Sequence, residues 1–440
     1  MTETTDAAGP IIDLDITDVA HGGVFVGRHE GRVVFVPDTL PGERVRVRLD
    51  ADAAADGDTR RFWRAEVLEV LDAAPARRPH IWRAADVDTA PEDRPGGADF
   101  GHIALDEQRA LKLRVLQDAL ARIGRLDVPA SLITATEAAG GADEPEREDA
   151  TGWRTRVSLH VDAAGRVGPF AARSHRVIEV DDLPLAVPGI AQVAAGLGAA
   201  AEGRIDLVHP ADGRVRVLGR PDARPRGQKK TPDPAREVVV ERAGGRDFRV
   251  DAGGFWQVHR LAADALTTVL ARELAGAGVD PDGWHLDLYG GVGLFAATLA
   301  DAAGSGARVT SVEADERATE HAGTNLAQWL GARAETGRVD RWVAQLAARA
   351  SDTERERLSR GVVVLDPPRA GARAAVVRGI AALNPAAVVY IACDPVALAR
   401  DMATFRDEGY EAAGVQGIDL FPHSHHVEAV TTLIRTGGRR

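Results

Sequence analysis

The chain has 440 residues, of which 45% are hydrophobic and 27% are charged. This length is typical of two or three domains, and the apolar content excludes a disordered chain. No apolar run approaches the roughly 18 residues of a membrane-spanning helix, and the acidic N-terminus does not resemble a secretory signal. We therefore expect a cytoplasmic protein that does not contact membranes. The sequence has one cysteine, Cys393, which excludes an internal disulfide.

The formal net charge of −12 argues against a nucleic-acid partner, because phosphate binding requires positive charge. Arginine supplies nearly all of the positive charge, however, and part of it is concentrated locally. Residues 213–249 contain nine arginines and two lysines against five acidic residues. This basic segment, with residues 221–234 as an exposed linker or loop, is either a solvated connection or a surface that contacts nucleic acid.

Residues 11–71 contain short, evenly spaced runs of β-branched residues separated by glycine and proline turns, which predicts a small β-barrel. In one of these strands Arg44, Arg46 and Arg48 alternate with apolar residues. A row of this kind is more often a solvated outer face than a phosphate-contacting one, and both interpretations stay open.

The middle of the chain predicts a mixture of helix and strand. Residues 105–123 have helical periodicity, residues 154–161 and 177–180 are predicted strands, and the acidic, glycine-rich residues 136–150 are a predicted loop.

From residue 250 onward, strands and helices alternate. The predicted strands are 284–289, 309–313, 362–365, 387–391, 415–420 and 427–434, and the predicted helices are 261–274, 294–303, 318–330, 375–383 and 398–408. This alternation predicts a doubly wound α/β domain with a largely parallel sheet.

Two of these strands end in residues suited to a nucleoside cofactor. The strand at 284–289 runs into a glycine-rich turn at 290–293, where the backbone can approach a ligand closely. Glu313 ends the next strand, where an acid binds ribose hydroxyls. The alternative is an ordinary tight turn between strand and helix.

Two further strand ends carry chemistry. Asp366 begins an Asp-Pro-Pro-Arg sequence at the carboxyl edge of the sheet, which favours an S-adenosylmethionine enzyme acting on a planar nitrogenous substrate. Cys393 follows another strand, where a thiolate can attack an electron-poor ring, although a lone cysteine is more often a small buried hydrophobic residue. Residues 421–428 read Phe-Pro-His-Ser-His-His-Val-Glu. A metal site is the weaker interpretation of this segment, and Glu428 as a base near Cys393 is the stronger one.

The order of these motifs resembles the class I S-adenosylmethionine-dependent RNA uracil-5-methyltransferase family. The family's Asp-Leu-Tyr-x-Gly, Asp-Pro-Pro-Arg, Tyr-Ile with Cys-Asn-Pro, and Phe-Pro-x-x-x-His-Val-Glu correspond to residues 287–290, 366–369, 390–395 and 421–428, and residues 253–257 resemble its Phe-Phe-Gln element.

The resemblance implies an N-terminal TRAM barrel of the oligonucleotide-binding type over residues 9–72, a central α+β domain over 73–245, and a Rossmann-like methyltransferase domain over 246–440. It implies that the RNA-binding barrel and the catalytic domain act on a uridine in ribosomal or transfer RNA, and we expect a monomer. The roles that it implies are Cys393 as nucleophile, Glu428 as base, and cofactor contacts from Gln257, Tyr289, Glu313 and Asp366.

This chain departs from the family at several positions. Many members hold an iron–sulfur cluster on four cysteines, but Pro95-Gly96-Gly97-Ala98 stands at the family's Cys-Gly-Gly-Cys and the other two ligands are also missing, so we expect no cluster. Asp394 replaces the usual asparagine after the nucleophile.

Two other functions remain possible from the sequence: a methyltransferase of the same fold acting on a small molecule or protein, and an RNA-binding protein with a decayed catalytic domain. Retention of both Cys393 and Glu428 argues against decay. For the RNA interpretation, we expect the arginines of the barrel and of residues 213–249 to form one positive surface beside the cleft.

Overall fold

The computed structural model describes residues 9–50, 60–141, 144–222 and 233–436. Most of the predicted linker at 221–234, part of the barrel region and part of the predicted loop at 136–150 lie outside the described residues. Within them, no helix is both long and apolar enough to cross a bilayer.

The strands and helices follow one another along the chain as named below. The strands are β1 (Ile11–Ala20), β2 (Val24–His29), β3 (Arg32–Val36), β4 (Arg44–Leu49), β5 (Phe62–Asp72), β6 (Ala130–Thr134), β7 (Arg156–Val161), β8 (Val167–Gly168), β9 (Gly203–Val208), β10 (Arg216–Pro221), β11 (Val238–Ala243), β12 (Arg246–Asp251), β13 (Trp284–Leu288), β14 (Arg308–Glu313), β15 (Ala332–Thr336), β16 (Val362–Leu365), β17 (Ala387–Ala392), β18 (Tyr410–Ala412), β19 (Val415–Asp419) and β20 (Glu428–Arg435). The α-helices are α1 (Leu105–Asp118), α2 (Ala135–Ala138), α3 (Pro188–Ala195), α4 (Ala262–Ala277), α5 (Leu294–Ala303), α6 (Glu316–Asn325), α7 (Val339–Arg349), α8 (Asp352–Arg360), α9 (Arg373–Ala382) and α10 (Pro395–Asp407).

The first five strands close into a barrel in the order β1-β2-β3-β5-β4. Alternation along β4 buries Val45 and Val47 in the barrel core and points the arginines outward. Arg46 lies 3.0 Å from Asp13 and 2.8 Å from Glu69, so much of its charge is neutralised on the barrel surface. The predicted barrel is confirmed.

The central region contains a four-stranded antiparallel sheet in the order β10-β9-β7-β8. The predicted strand at 177–180 is wrong: Val177 makes only an isolated bridge to Phe170, inside a tight loop that closes back on β8. The predicted loop at 136–150 is wrong at its start, because Thr134 and Glu137 form a capping box that begins α2. The predicted helix at 105–123 ends as α-helix at Asp118 and continues as a π-helical turn.

The C-terminal half forms a mixed sheet with the order β15-β14-β13-β16-β17-β20-β19-β6, and β18 pairs with β20. Strands β13 to β17 are parallel, whereas β20 runs antiparallel to β17. This is the predicted Rossmann-like α/β fold. Strand β6 comes from the range assigned to the central domain and pairs in parallel with β19. The boundaries of the three predicted domains stay a prediction.

Candidate active site

The carboxyl ends of the parallel strands open into a cleft of about 1100 Å³. This is the expected position of a ligand site in an open α/β sheet. The six side chains that the sequence singled out all line it: Gln257, Tyr289, Glu313, Asp366, Cys393 and Glu428.

One end of the cleft is the turn that joins β13 to α5. Tyr289 has a φ of 65° and Gly291 a φ of 55°, so the backbone turns sharply out of the sheet. At Gly290 a Cβ atom would overlap the side chains of Ser311 and Asp287, which only glycine avoids. The turn therefore brings backbone to the cleft without side-chain bulk.

Glu313 is fixed beside this turn at the end of β14. Its Oε2 accepts a hydrogen bond from the backbone N–H of Gly291 at 3.1 Å, and its Oε1 accepts from that of Asp315 at 2.8 Å. The carboxylate is therefore held in one orientation at the lip of the cleft.

Asp287 lies behind the turn at Gly290, and the sequence assigned it no role although it stands in the quoted motif. It is fully buried, and Ser311 donates a hydrogen bond to its Oδ2 at 2.9 Å. Its Oδ1 has no hydrogen-bond partner among the described residues. Burial, together with the charge of Glu313, raises the pKa of Asp287 to about 7.

The other end of the cleft holds Cys393 and Glu428. Antiparallel pairing of β17 with β20 sets Ala392 opposite Ala429, so the residues that come next in each direction, Cys393 and Glu428, face each other across the strand pair. Burial and the neighbouring carboxyl groups of Glu428 and Asp366 raise the pKa of the thiol to about 12.

Carboxyl groups in this part of the cleft are also perturbed. Burial raises the pKa of Asp366 to about 7, with a further contribution from Asp287. Burial also raises the pKa of Glu428 well above its ordinary value, and Asp366 adds to the shift. Several buried acids that repel one another favour a cationic ligand.

Comparison with known proteins shows the family to which the chain belongs. Residues 8–58 match the TRAM domain, and residues 277–436 match the family described as tRNA (Uracil-5-)-methyltransferase. An RNA methyltransferase of Streptomyces avermitilis is 36% identical over 97% of this chain and 98% of the relative. A 23S rRNA (uracil(1939)-C(5))-methyltransferase of Halomonas elongata is 30% identical over 96% of this chain and 89% of the relative. The chain belongs to the RNA uracil-5-methyltransferase family.

The fold of this methyltransferase is similar to that of the Pyrococcus abyssi tRNA (uracil-54, C5)-methyltransferase solved with S-adenosyl-L-homocysteine. The TM-score is 0.64 at 19% identity, covering 96% of this chain and all of that one. The enzyme uses S-adenosylmethionine, and the cleft fits that cofactor: it offers the glycine-rich turn that contains Gly290 and Gly291, and an acid at Glu313.

Positive groups line the cleft of the methyltransferase, and the sequence did not single out all of them. Arg154 contacts no carboxylate among the described residues, and its pKa is lowered by burial and by Arg369. Arg369 lies 3.2 Å from the ring of His426. Nothing in the sequence marks Arg154, because only the fold brings the segment before β7 to the mouth of the cleft.

The arginines of residues 213–249 were expected to form one positive surface beside the cleft, and only some of them line it. Arg220 and Arg236 line the cleft, although Arg220 also lies 2.8 Å from Asp206. In contrast, Arg216 binds Asp212 and Glu237, and Arg242 and Arg246 also contact carboxylates. Those arginines are paired because oppositely charged residues lie opposite them on neighbouring elements.

Two of the positions at which the family resemblance places cluster cysteines are apolar here. Ala98 and Leu183 pack with Trp82, Trp153 and Leu185 in a small hydrophobic cluster. The three histidines of residues 421–428 each have a different partner: His423 contacts Gln108, His425 contacts Asp99, and His426 contacts Arg369. Among the described residues, no group of three or more potential ligands could hold a metal ion.

Proposed function

We propose that this enzyme methylates carbon 5 of a uridine in RNA through a covalent bond between Cys393 and the base. The observation that carries the proposal is the pairing of β17 with β20, which sets Cys393 opposite Glu428. Both residues line the cleft that also contains the Gly290 turn and Glu313.

Carbon 5 of uracil is a poor nucleophile and must be activated. The Cys393 thiolate adds to carbon 6, and the electron pair of the carbon 5–carbon 6 double bond moves toward the carbonyl oxygen at carbon 4 to form an enolate. Bound S-adenosylmethionine supplies an electrophilic methyl group on a cationic sulfonium. Carbon 5 forms the new bond to that methyl carbon as the enolate collapses, while the sulfur–methyl bond breaks with its electron pair going to sulfur, so that S-adenosylhomocysteine is the leaving group.

Carbon 5 then carries both hydrogen and methyl, and Glu428 completes the cycle. Its carboxylate takes the hydrogen as a proton, the carbon–hydrogen pair restores the double bond, and the sulfur leaves as a thiolate. Its raised pKa makes Glu428 a stronger base than an ordinary carboxylate. Arg369 has the complementary role, because its charge lowers the pKa of the Cys393 thiol against the opposing effects of burial and Glu428.

The substrate base must leave its helix to reach Cys393. The mouth of the cleft suits a splayed nucleotide: Phe255, 74% exposed, offers a ring for stacking, and Arg154 and Arg236 offer positive charge to phosphates. We propose ribosomal RNA as the first substrate to test and transfer RNA as the alternative, because the Halomonas relative carries ribosomal RNA in its name at the higher identity.

The test is methyl transfer from labelled S-adenosylmethionine to RNA from a strain that lacks this gene, with wild-type RNA for comparison. Cys393→Ser is the matched variant, because it is nearly isosteric and the chain has no second cysteine. We expect label in 5-methyluridine only with Cys393 present, and a loss of about 10⁴-fold or more in the variant.

A second measurement isolates the covalent step. RNA with 5-fluorouridine should form a stable adduct with the wild-type enzyme, because fluorine cannot leave carbon 5 as a proton does. A wild-type enzyme that binds S-adenosylmethionine but labels no RNA would favour a small-molecule or protein substrate. RNA labelling at full rate by Cys393→Ser would refute the covalent mechanism.

A further inference from the structure

The turn between β1 and β2 of the barrel reaches the catalytic loops. It consists of His21, Gly22 and Gly23, and both glycines have positive φ values, of 88° and 73°. With Cys393 and Asp394, these three residues line a small cavity of about 80 Å³ behind the nucleophile.

His21 contacts the residue that follows the nucleophile. Its Nε2 lies 2.9 Å from Oδ2 of Asp394. The other carboxylate oxygen, Oδ1, accepts a hydrogen bond from the backbone N–H of Ala397 at 2.7 Å and so caps α10. Asp394 is therefore held from both sides, by its own helix and by the barrel.

Gly23 packs against the loop that leads to the base. A Cβ atom there would lie 2.8 Å from Cβ of His425 and would also overlap a carboxylate oxygen of Asp99. That oxygen accepts hydrogen bonds from His425, through the ring Nδ1 at 2.6 Å and the backbone N–H at 3.1 Å. The barrel turn thus contacts the segments that carry Cys393 and Glu428.

The barrel is anchored, so the turn has a fixed position. Arg114 of α1 lies 3.0 Å from Asp18 of β1, and the rings of Phe25 and Phe100 pack with centroids 5.7 Å apart. Residues of α1 also belong to the barrel core. A hydrogen bond from such a turn transmits the position of a rigid body.

We propose that His21 is a positioning residue for methyl transfer, which holds Asp394 and thereby the Cys393 loop from the RNA-binding barrel. This inference rests on the proposed function. It gives the barrel a role in the chemical step, in addition to binding RNA. The hydrogen bond to Asp394 raises the pKa of His21, and the contact is charge-assisted when the ring is protonated.

The substitution of Asp394 for the usual asparagine agrees with this role. A carboxylate accepts two hydrogen bonds at once, and its charge favours the protonated ring of His21. The other charged or titratable groups around the cavity are Lys112, Arg369, Cys393, His425 and His426.

The test compares His21→Ala with wild type in single-turnover methyl transfer at saturating RNA and S-adenosylmethionine. We expect the rate to fall about tenfold with dissociation constants for both ligands unchanged, because a small misplacement of the nucleophile affects the chemical step alone. His21→Gln should recover most of the rate, since its amide can donate to Asp394. The matched control is His29→Ala, a half-exposed histidine of the same barrel that contacts Trp63.

A second variant separates the contact between Asp394 and His21 from the N-cap that Asp394 provides for α10. Asp394→Ser keeps a good N-cap but is too short to reach His21. It should lose as much rate as His21→Ala, and the double variant should lose no more than either single variant.

The outcomes distinguish this inference from the proposed function. A wild-type enzyme that makes no 5-methyluridine refutes both. An active wild type with a fully active His21→Ala refutes the positioning role alone. A His21→Ala variant that loses RNA affinity but keeps the saturated rate makes His21 an RNA contact and also overturns the inference.

Discussion

The end of the cleft at Glu313, where we propose that the cofactor binds (the cofactor end), is held by neighbours on adjacent strands. The end at Cys393, where we propose that the substrate binds (the substrate end), is assembled from distant parts of the chain. Glu313 and Asp287 take their hydrogen bonds from residues of β14 and the turns beside it. At the other end, Cys393 faces Glu428 across a strand pair, Asp394 meets His21 of the barrel, and Arg154 comes from the segment just before β7.

This difference indicates that cofactor binding can be changed independently of RNA binding and chemistry. Substitutions at the cofactor end should alter binding of S-adenosylmethionine through local geometry. Those at the substrate end should alter RNA binding or chemistry and leave the cofactor in place. The following predictions test that separation.

Glu428→Gln should have the largest effect. Removal of the base should slow formation of 5-methyluridine by about 10²–10⁴-fold, while a covalent complex with unmodified RNA accumulates because its breakdown is blocked. The measurement is product formation beside denaturing electrophoresis of the RNA complex. Glu411→Gln, at an exposed position of β18, is the matched control. Slow turnover without an adduct would contradict the assignment of Glu428 as the base.

Gly290→Ala should break the cofactor end alone. The added methyl group would overlap Asp287 and Ser311, so the turn must shift, and we expect S-adenosylmethionine affinity to fall about 100-fold. Calorimetric titration checks this, with RNA binding measured in parallel. Gly276→Ala is a suitable control, since a Cβ there meets open space on α4. Equal losses for RNA and cofactor would indicate that the two ends are coupled.

Arg154→Gln should weaken RNA binding about tenfold at low salt and leave S-adenosylmethionine binding unchanged. The reason is the loss of one unpaired cation at the mouth of the cleft, which should also reduce the slope of log affinity against log salt by about 1. Arg242→Gln, whose partner is Asp247, serves as the paired-arginine control. An unchanged slope of log affinity against log salt would show that Arg154 does not contact RNA phosphates.

The smallest effect concerns thiol reactivity. The pKa of Cys393 is about 12, so alkylation by iodoacetamide in cofactor-free enzyme should rise about tenfold for each pH unit between 8 and 11. The charge of Glu428 raises this pKa. Its replacement by glutamine should therefore lower the pKa and speed alkylation at pH 9 about threefold. With a single cysteine in the chain, mass spectrometry reads the rate directly. Slower alkylation in Glu428→Gln would show that the charge acts in the other direction.

Local sequence predicted the elements that depend on few residues. The apolar strands, the glycine turn after β13 and the strand-end positions of Glu313, Asp366 and Cys393 could be predicted because periodicity and turn chemistry act over a few residues. The same reasoning failed at 177–180, where β-branched residues form only an isolated bridge. It also left residues 331–361 unassigned, which contain β15, α7 and α8.

The sequence by itself determined the fold class, the family and six of the side chains that line the cleft, because ordered motifs at strand ends indicate both chemistry and topology. Only the tertiary structure decided that β6 joins the catalytic sheet, that Arg154 lies at the cleft and that His21 meets Asp394. Those contacts join residues far apart in the chain, and their partners are selected by packing of whole elements, which leaves no local signal in the sequence.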